Sequence, residues 1–308
     1  MHTAIAICTY RRPSGLTRLL DAITKLALPE GVKDEDIVVV VVDNHEDGEG
    51  LAVCEKLETN YRFALRSICQ LGDGISEARN ASVALALADN PTYVGFLDDD
   101  EWPEPVWLSE LVRVLEQANA DVVGGPTRSV FPDNAPPELL DNPYFGADMN
   151  LADGTSCELQ AAGNFLIKAS TLANTAPDCF HPAFAHSGGE DLAFFTQLAQ
   201  QGATMVWAQA AVVHEEVPSN RLSHEWLRTR VIGIANSRVR VMQMMKPGWA
   251  PSFVRGAKTL ALAFQASLYT VVGIGSPKLA HVAEQLRWKF LGKFSAHLNR
   301  KTTRPEGH

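Results

Sequence analysis

Phe96-Leu97-Asp98-Asp99-Asp100-Glu101 ends an apolar run, Tyr93–Leu97, in four consecutive acids. The run reads as a buried strand, so the acids fall at its C-terminal edge. Neighbouring carboxylates repel and raise one another's pKa, and an all-oxygen cluster suits a hard divalent cation, which points to Mg²⁺ or Mn²⁺ chemistry. The same acids equally suit the start of a helix near Pro103, where they would face its N-terminal dipole. The two readings are separated only by the rest of the chain.

Upstream, strand and helix signals alternate. Thr3–Thr9 is an apolar strand, and 13–28 carries Leu16, Leu19, Leu20, Ile23 and Leu26 at helical spacing. Ile37–Val42 is a β-branched run bounded by charges, as expected of a strand covered on both faces, and it ends in Asp43-Asn44. A helix near 50–58, a strand near 63–68 and an Ala-rich helix over 75–88 lead to the strand at Tyr93. Such βαβ alternation predicts an α/β, doubly wound sheet, whose ligands gather at the C-terminal strand ends. Those ends carry Thr9-Tyr10-Arg11, Asp43 and Asp98-Asp99-Asp100.

Beyond about residue 120 the apolar runs shorten to 121–124, 127–131, 159–161 and 165–168, separated by Pro- and Gly-rich loops, and predict a mixed extension of the sheet. A long loop, 177–189, precedes Glu190-Asp191, which fall in the first turn of a helix marked by Leu192, Phe195, Leu198 and Ala199. A strand over 204–213 leads to His214, and from Asn220 onward the pattern is helical.

The 308 residues are 46% hydrophobic and 20% charged, enough for a sizeable core in one large or two smaller domains. Five scattered cysteines without a C-x-x-C pair disfavour a disulfide framework and a zinc site and fit a reducing compartment. The chain runs from Met1 straight into an apolar strand without the features of a signal peptide, so it is expected to stay inside the cell. Glu306-Gly307-His308 reads as a tag remnant. Charge is split unevenly: Val241 to Arg304 holds ten Lys and Arg against Glu284 alone, a net of +9. With Glu306 set aside, the first 240 residues hold 17 basic and 34 acidic groups, a net of −17. An acidic body with a basic tail suggests a tail that meets an anionic surface.

Taken in order, Ile7-Cys8-Thr9-Tyr10-Arg11-Arg12-Pro13, Val42-Asp43-Asn44, Gly74-Ile75-Ser76-Glu77-Ala78-Arg79-Asn80, the D-x-D Asp98-Asp99-Asp100, Gly189-Glu190-Asp191 and His214 resemble the family 2 glycosyltransferases over roughly residues 3 to 235. These are inverting enzymes of the GT-A fold, and the likeness is to their bacterial exopolysaccharide (succinoglycan-type) branch. The resemblance implies a GT-A doubly wound mixed sheet at 1–235 with a helical C-terminal extension at 236–305. It implies transfer of a single sugar from a nucleotide-diphosphate donor, UDP-sugar by default, with Mn²⁺ or Mg²⁺ as cofactor. By the same resemblance Asp43 accepts from the base, Asp98 from the ribose, and Asp100 holds the metal with His214 as second ligand or diphosphate contact. Asp191 is the general base, with Glu190 the lesser candidate. Thr9, Tyr10, Arg11, Gly74, Arg79 and Asp99 are donor contacts. Arg221, His224 and Trp226 lie in a basic, aromatic segment like those that close over the diphosphate and acceptor. Each residue also has a plainer reading: Asp43 as a turn former, His214 as a strand-end histidine, Glu190-Asp191 as helix-capping acids, Gly74 and Arg79 as a turn and a surface cation, Tyr10 as packing.

Lys258 and Lys278 enclose 19 uncharged residues, close to the roughly 20 that span a bilayer, but Gln265, Ser267, Thr270 and two glycines interrupt them. The expectation is an interfacial or packed helix. The next segment sets Leu279, Val282, Leu286, Phe290, Leu291 and Phe294 among Arg287, Lys289 and Lys293, as in a basic amphipathic helix on anionic lipid. A helix packed on the catalytic domain or on a dimer partner would carry the same pattern. The protein is therefore expected at the inner face of the cell membrane, peripheral and cytoplasmic, with a polyprenyl-diphosphate-linked or saccharide acceptor. The acidic body argues against nucleic acid. A nucleotidyltransferase would carry a Gly-rich loop after the first strand, where Thr9–Pro13 stands, and a D-x-D phosphatase would not carry Glu101. A catalytically silent sugar-nucleotide-binding or membrane scaffold is the remaining alternative.

Overall fold

The computed structural model describes residues 1–72, 74–140 and 142–302; the expected tag remnant lies outside them. In chain order the elements are β1 (Thr3–Thr9), α1 (Pro13–Ile23), β2 (Ile37–Asp43), α2 (Glu49–Leu57), β3 (Ala64–Cys69), α3 (Ile75–Leu87), β4 (Tyr93–Asp98), β5 (Glu101–Pro103), α4 (Trp107–Gln117), β6 (Val122–Gly124) and β7 (Thr127–Val130). They continue with α5 (Pro137–Leu140), β8 (Asn164–Lys168), α6 (Ala169–Ala173), α7 (Glu190–Gln200), β9 (Met205–Trp207), β10 (Val213–Glu216), α8 (His224–Met245), α9 (Trp249–Val272) and α10 (Pro277–His297).

The main sheet runs β3-β2-β1-β4-β8-β6-β9. β3, β2, β1 and β4 are parallel, whereas β8 is antiparallel to both β4 and β6. Both faces are covered. Ile5 and Ile7 of β1 pack with Leu16, Leu19 and Leu20 of α1 and Trp107 of α4, while Ala4 and Ala6 point the other way toward Val83 of α3 and Phe194 of α7. Positions 4–8 of β1 and 37–42 of β2 are therefore apolar without a break, which is why these strands read as unbroken runs.

Four expectations change. The chain after the acids does not enter a helix at Pro103: residues 101–103 form β5, and α4 starts at Trp107. The stretch 204–213 is two strands in different sheets, because Ala208 N bonds Gly124 O and the chain then turns through Ala211, whose carbonyl accepts from Asn164 Nδ2 at 2.9 Å. β10 thus joins the small sheet β5-β10-β7. Residues 159–161 are loop rather than strand, with Leu159 buried against the bare Cα of Gly124. The first helix ends at Ile23, short of Leu28.

α8 runs unbroken through position 235, where the catalytic domain was expected to end. α10 packs on α8 and α9 packs on α10, so the tail is layered outward in the order α8, α10, α9. Among the described residues no helix is long and apolar enough to cross a membrane.

Candidate active site

The C-terminal ends of β1 and β4, the N-terminus of α3, the start of β8 and the first turn of α7 surround a cleft of about 970 Å³. Because β8 is antiparallel, its N-terminal end and the loop before it arrive at the same edge as the C-terminal ends of β1 and β4. That places Ala162 within reach of α7: its N–H donates to Asp191 Oδ2 at 3.2 Å. Arg79, buried on α3, lies between the two acid groups. Its guanidinium bonds Asp98 Oδ1 at 3.0 Å and stands 3.6 Å from Asp191 Oδ1. Burial works against its charge, but Asp191, Asp98 and Glu190 outweigh that and raise its pKa.

The four consecutive acids are neutralised from within the chain. Asp99 is 5% exposed and turns inward, accepting from Thr9 Oγ1 (2.9 Å), Tyr10 N (3.2 Å) and Arg12 Nη1 (2.8 Å). Asp100 Oδ2 lies 3.1 Å from both Arg12 and Arg221, and Arg221, itself buried, bonds Glu215 Oε1 at 2.8 Å. Glu101 is buried and accepts from Asp98 N at 3.0 Å; burial and then the Asp98 charge hold its carboxyl well above the usual range. Glu215 is raised by burial and by Asp100, against the pull of Arg221. Burial likewise pushes Asp99 up to about 6, with Arg12 opposing and Asp100 adding to the rise. Asp99 ionises at about pH 4 when unfolded, so its contribution to stability is full below that value and is lost as pH rises through 6. Arg12, Arg79 and Arg221, with Asp99, Glu101 and Glu215 held toward neutrality, thus make the acidic run tolerable.

Asp98, Asp100, Asp191, Thr9, Tyr10, Gly74 and Arg79 line the cleft as expected. Gly74 has φ +114°, and a Cβ there would stand 2.7 Å from Ala185 O, so only glycine lets the loop pass into α3. Tyr10 is half exposed and meets the His45 ring edge-on at 5.2 Å.

Other expected residues are elsewhere. Asp43 is 1% exposed and folds back on its own chain, accepting from His45 N at 3.1 Å, Gly50 N at 2.8 Å and Leu51 N at 3.1 Å. It caps α2 instead of facing a base. Asp43→Ala is therefore expected to cost about 1–2 kcal/mol of stability, read as a lower urea midpoint, with donor affinity little changed. Asp99, by contrast, lines the cleft as expected, and its hydrogen bonds also hold the Thr9–Arg12 loop. Arg11, at φ +55°, is exposed and turned from the cleft, and its neighbour Arg12 takes the place beside Asp100.

His214 stacks on Trp102 at 5.7 Å and bonds Glu104 at 3.1 Å. The two-residue period of β10 sends Glu215, not His214, to the Asp100 side. Glu190 is fully buried and only Asp191 of the pair reaches the cleft. His224 pairs with Glu284 and meets Trp288 of α10, while Trp226 stacks on Phe145 at 5.4 Å within an apolar cluster. Neither lines the cleft; Arg230, one helical turn on from Trp226, does. Arg12 and Glu215 were thus missed, although each lies one residue from an expected position, whereas Arg230 belongs to the basic, aromatic segment expected to close over the diphosphate.

A second cleft of about 750 Å³ shares Thr127, Gly146, Ala147 and Ala161 with the first. Phe131, Phe145 and Trp207 line it with Asn142, Asp148, Glu158 and Gln160.

Among the described residues no three His, Cys, Asp or Glu side chains gather as a metal cage. Mg²⁺ and Mn²⁺ do not need one where substrate phosphates are present, since one or two carboxylates then suffice. Asp98 and Asp100, both at the cleft wall, supply oxygen donors of that kind.

The sequence profile of Glycosyl transferase family 2 matches residues 4–183. The chain is 30% identical over 235 residues to the succinoglycan biosynthesis protein ExoM of Rhizobium meliloti (strain 1021), covering 75% of this chain and 72% of ExoM. Its fold is similar to that of the mannosyltransferase PcManGT of Pyrobaculum calidifontis, solved with GDP-Man and Mn²⁺ (TM-score 0.66, 18% identity, 97% of this chain and 88% of that one). It is also similar to S. aureus TarS 1-349 solved with UDP (TM-score 0.54, 15% identity, 100% and 98%).

Proposed function

Because the chain belongs to glycosyl transferase family 2, and is a transferase of the EC 2.4 class with the GT-A fold, we propose that its cleft moves one sugar from a nucleotide-diphosphate donor, UDP-sugar by default, to a lipid-linked or saccharide acceptor in polysaccharide biosynthesis, with inversion. The observation that carries this reading is the pair Asp98 and Asp191 on opposite sides of Arg79 in one cleft.

The donor's base would lie against Tyr10 and His45, and its diphosphate beside Asp98, Asp100, Arg12 and Arg221. Mn²⁺ or Mg²⁺ held by Asp98 and Asp100 would supply a Lewis acid for the charge that develops on the diphosphate. The two guanidiniums add fixed positive charge at the same place. Asp191 takes the proton from the acceptor hydroxyl as that oxygen attacks the anomeric carbon; the bond to the diphosphate breaks and its electron pair leaves with the diphosphate. Ala162 N–H and Arg79 hold the carboxylate in position for this step. The adjoining second cleft, with aromatic faces and amide and carboxylate partners, suits the acceptor saccharide.

Calorimetric titration with UDP-, GDP- and dTDP-sugars, each with Mn²⁺ and again with EDTA, tests the donor half. One nucleotide series is expected to bind only with metal. Folded protein that binds none of them is a different kind of molecule from the one proposed.

A further inference from the structure

Trp249, Phe253, Leu260, Phe264, Leu268 and Val271 recur at whole turns of α9 and are between 50% and 85% exposed. They form one stripe, about 33 Å long, on the side of α9 opposite Thr259 and Ala266, the two residues it buries. The inner face is anchored by Thr259 against His297 (3.2 Å) and by Arg287 donating to Thr270 (2.7 Å). The apolar side thus faces outward from the outermost helix of the tail.

We propose that this stripe is the docking face for an anionic lipid bilayer, with α9 lying in the interface plane. Charge selects the occupant. The segment from Val241 to Arg304 carries +9, which complements acidic headgroups. The same charge opposes pairing of two copies through this face, since it would set +9 against +9. An exposed apolar face this long in a strongly basic segment is the pattern of an interfacial helix. The inference is independent of the transferase reading, because vesicle binding requires neither donor nor acceptor.

The test is flotation of the full chain with vesicles of phosphatidylglycerol and phosphatidylcholine, and with phosphatidylcholine alone. The wild-type chain is expected to float with the anionic vesicles and much less with the neutral ones. Phe253→Glu with Phe264→Glu should reduce the bound fraction about tenfold or more while leaving the circular dichroism melt unchanged. Equal flotation of wild type and double variant overturns the docking face, and equal binding to neutral vesicles overturns its charge selectivity. A lipid-free dimer in light scattering, broken by the same double variant, would assign the stripe to a subunit interface instead.

Discussion

Asp191→Asn is expected to lower turnover about 10³-fold, the range that a positioned general base contributes, while leaving donor affinity nearly intact. The amide keeps an oxygen for the Ala162 N–H, and Arg79 keeps its 3.0 Å bond to Asp98, so the cleft retains its shape. What is lost is the ability to accept a proton at neutral pH. Transfer of radiolabelled sugar into a membrane extract reads turnover, and calorimetry reads the donor. Unimpaired transfer would remove Asp191 from the chemistry and leave it as a capping acid of α7. Weakened donor binding with normal turnover at saturation would place it among the donor contacts.

Asp100→Ala is expected to abolish the metal-dependent part of donor binding, a loss of about 10²-fold or more if a charge-assisted contact to the diphosphate site is removed. Two arginines lose a partner at once. Arg221 retains Glu215 and Arg12 retains Asp99, so the fold is expected to survive, although removing one member of a buried pair costs several kcal/mol when the other is left alone. Asp100→Asn separates the two effects: it preserves hydrogen bonding to the guanidiniums and removes the charge. Donor affinity that responds to EDTA as strongly in Asp100→Asn as in wild type would exclude Asp100 as a metal holder. A thermal melt of each variant keeps loss of fold apart from loss of binding.

The parallel half of the molecule was legible because strands covered on both faces must be apolar at every position, and β1 and β2 show unbroken runs. The small sheet was not, because β5 is only three residues long and opens with Glu101. Its strand state depends on pairing with β10, far away in sequence. A continuous apolar stretch likewise hid the turn between β9 and β10, whose position is fixed by Asn164 and Gly124. Among site residues the errors share one cause. Composition places an acid or a base at the right strand end but does not say which way its side chain turns. Asp43 turns to nearby backbone N–H groups and Asp99 to the Thr9 hydroxyl, the Tyr10 N–H and Arg12, and one step of strand phase exchanges His214 for Glu215.

The reversal of β8 has an implication for how such a chain can change. β1 to β4 run parallel, and β8 runs against both of its neighbours, β4 and β6. The described residues between β7 and β8 border the second cleft and pair with the sheets at Thr127 of β7 and Val206 of β9. Segments of this length in compact proteins are where replacement is tolerated. On the proposed reading of the second cleft as the acceptor site, an acceptor of new shape could be accommodated by exchanging the part of this stretch before Ala161, with Ala162, Arg79, Asp98 and the β1–α1 turn left as inherited parts.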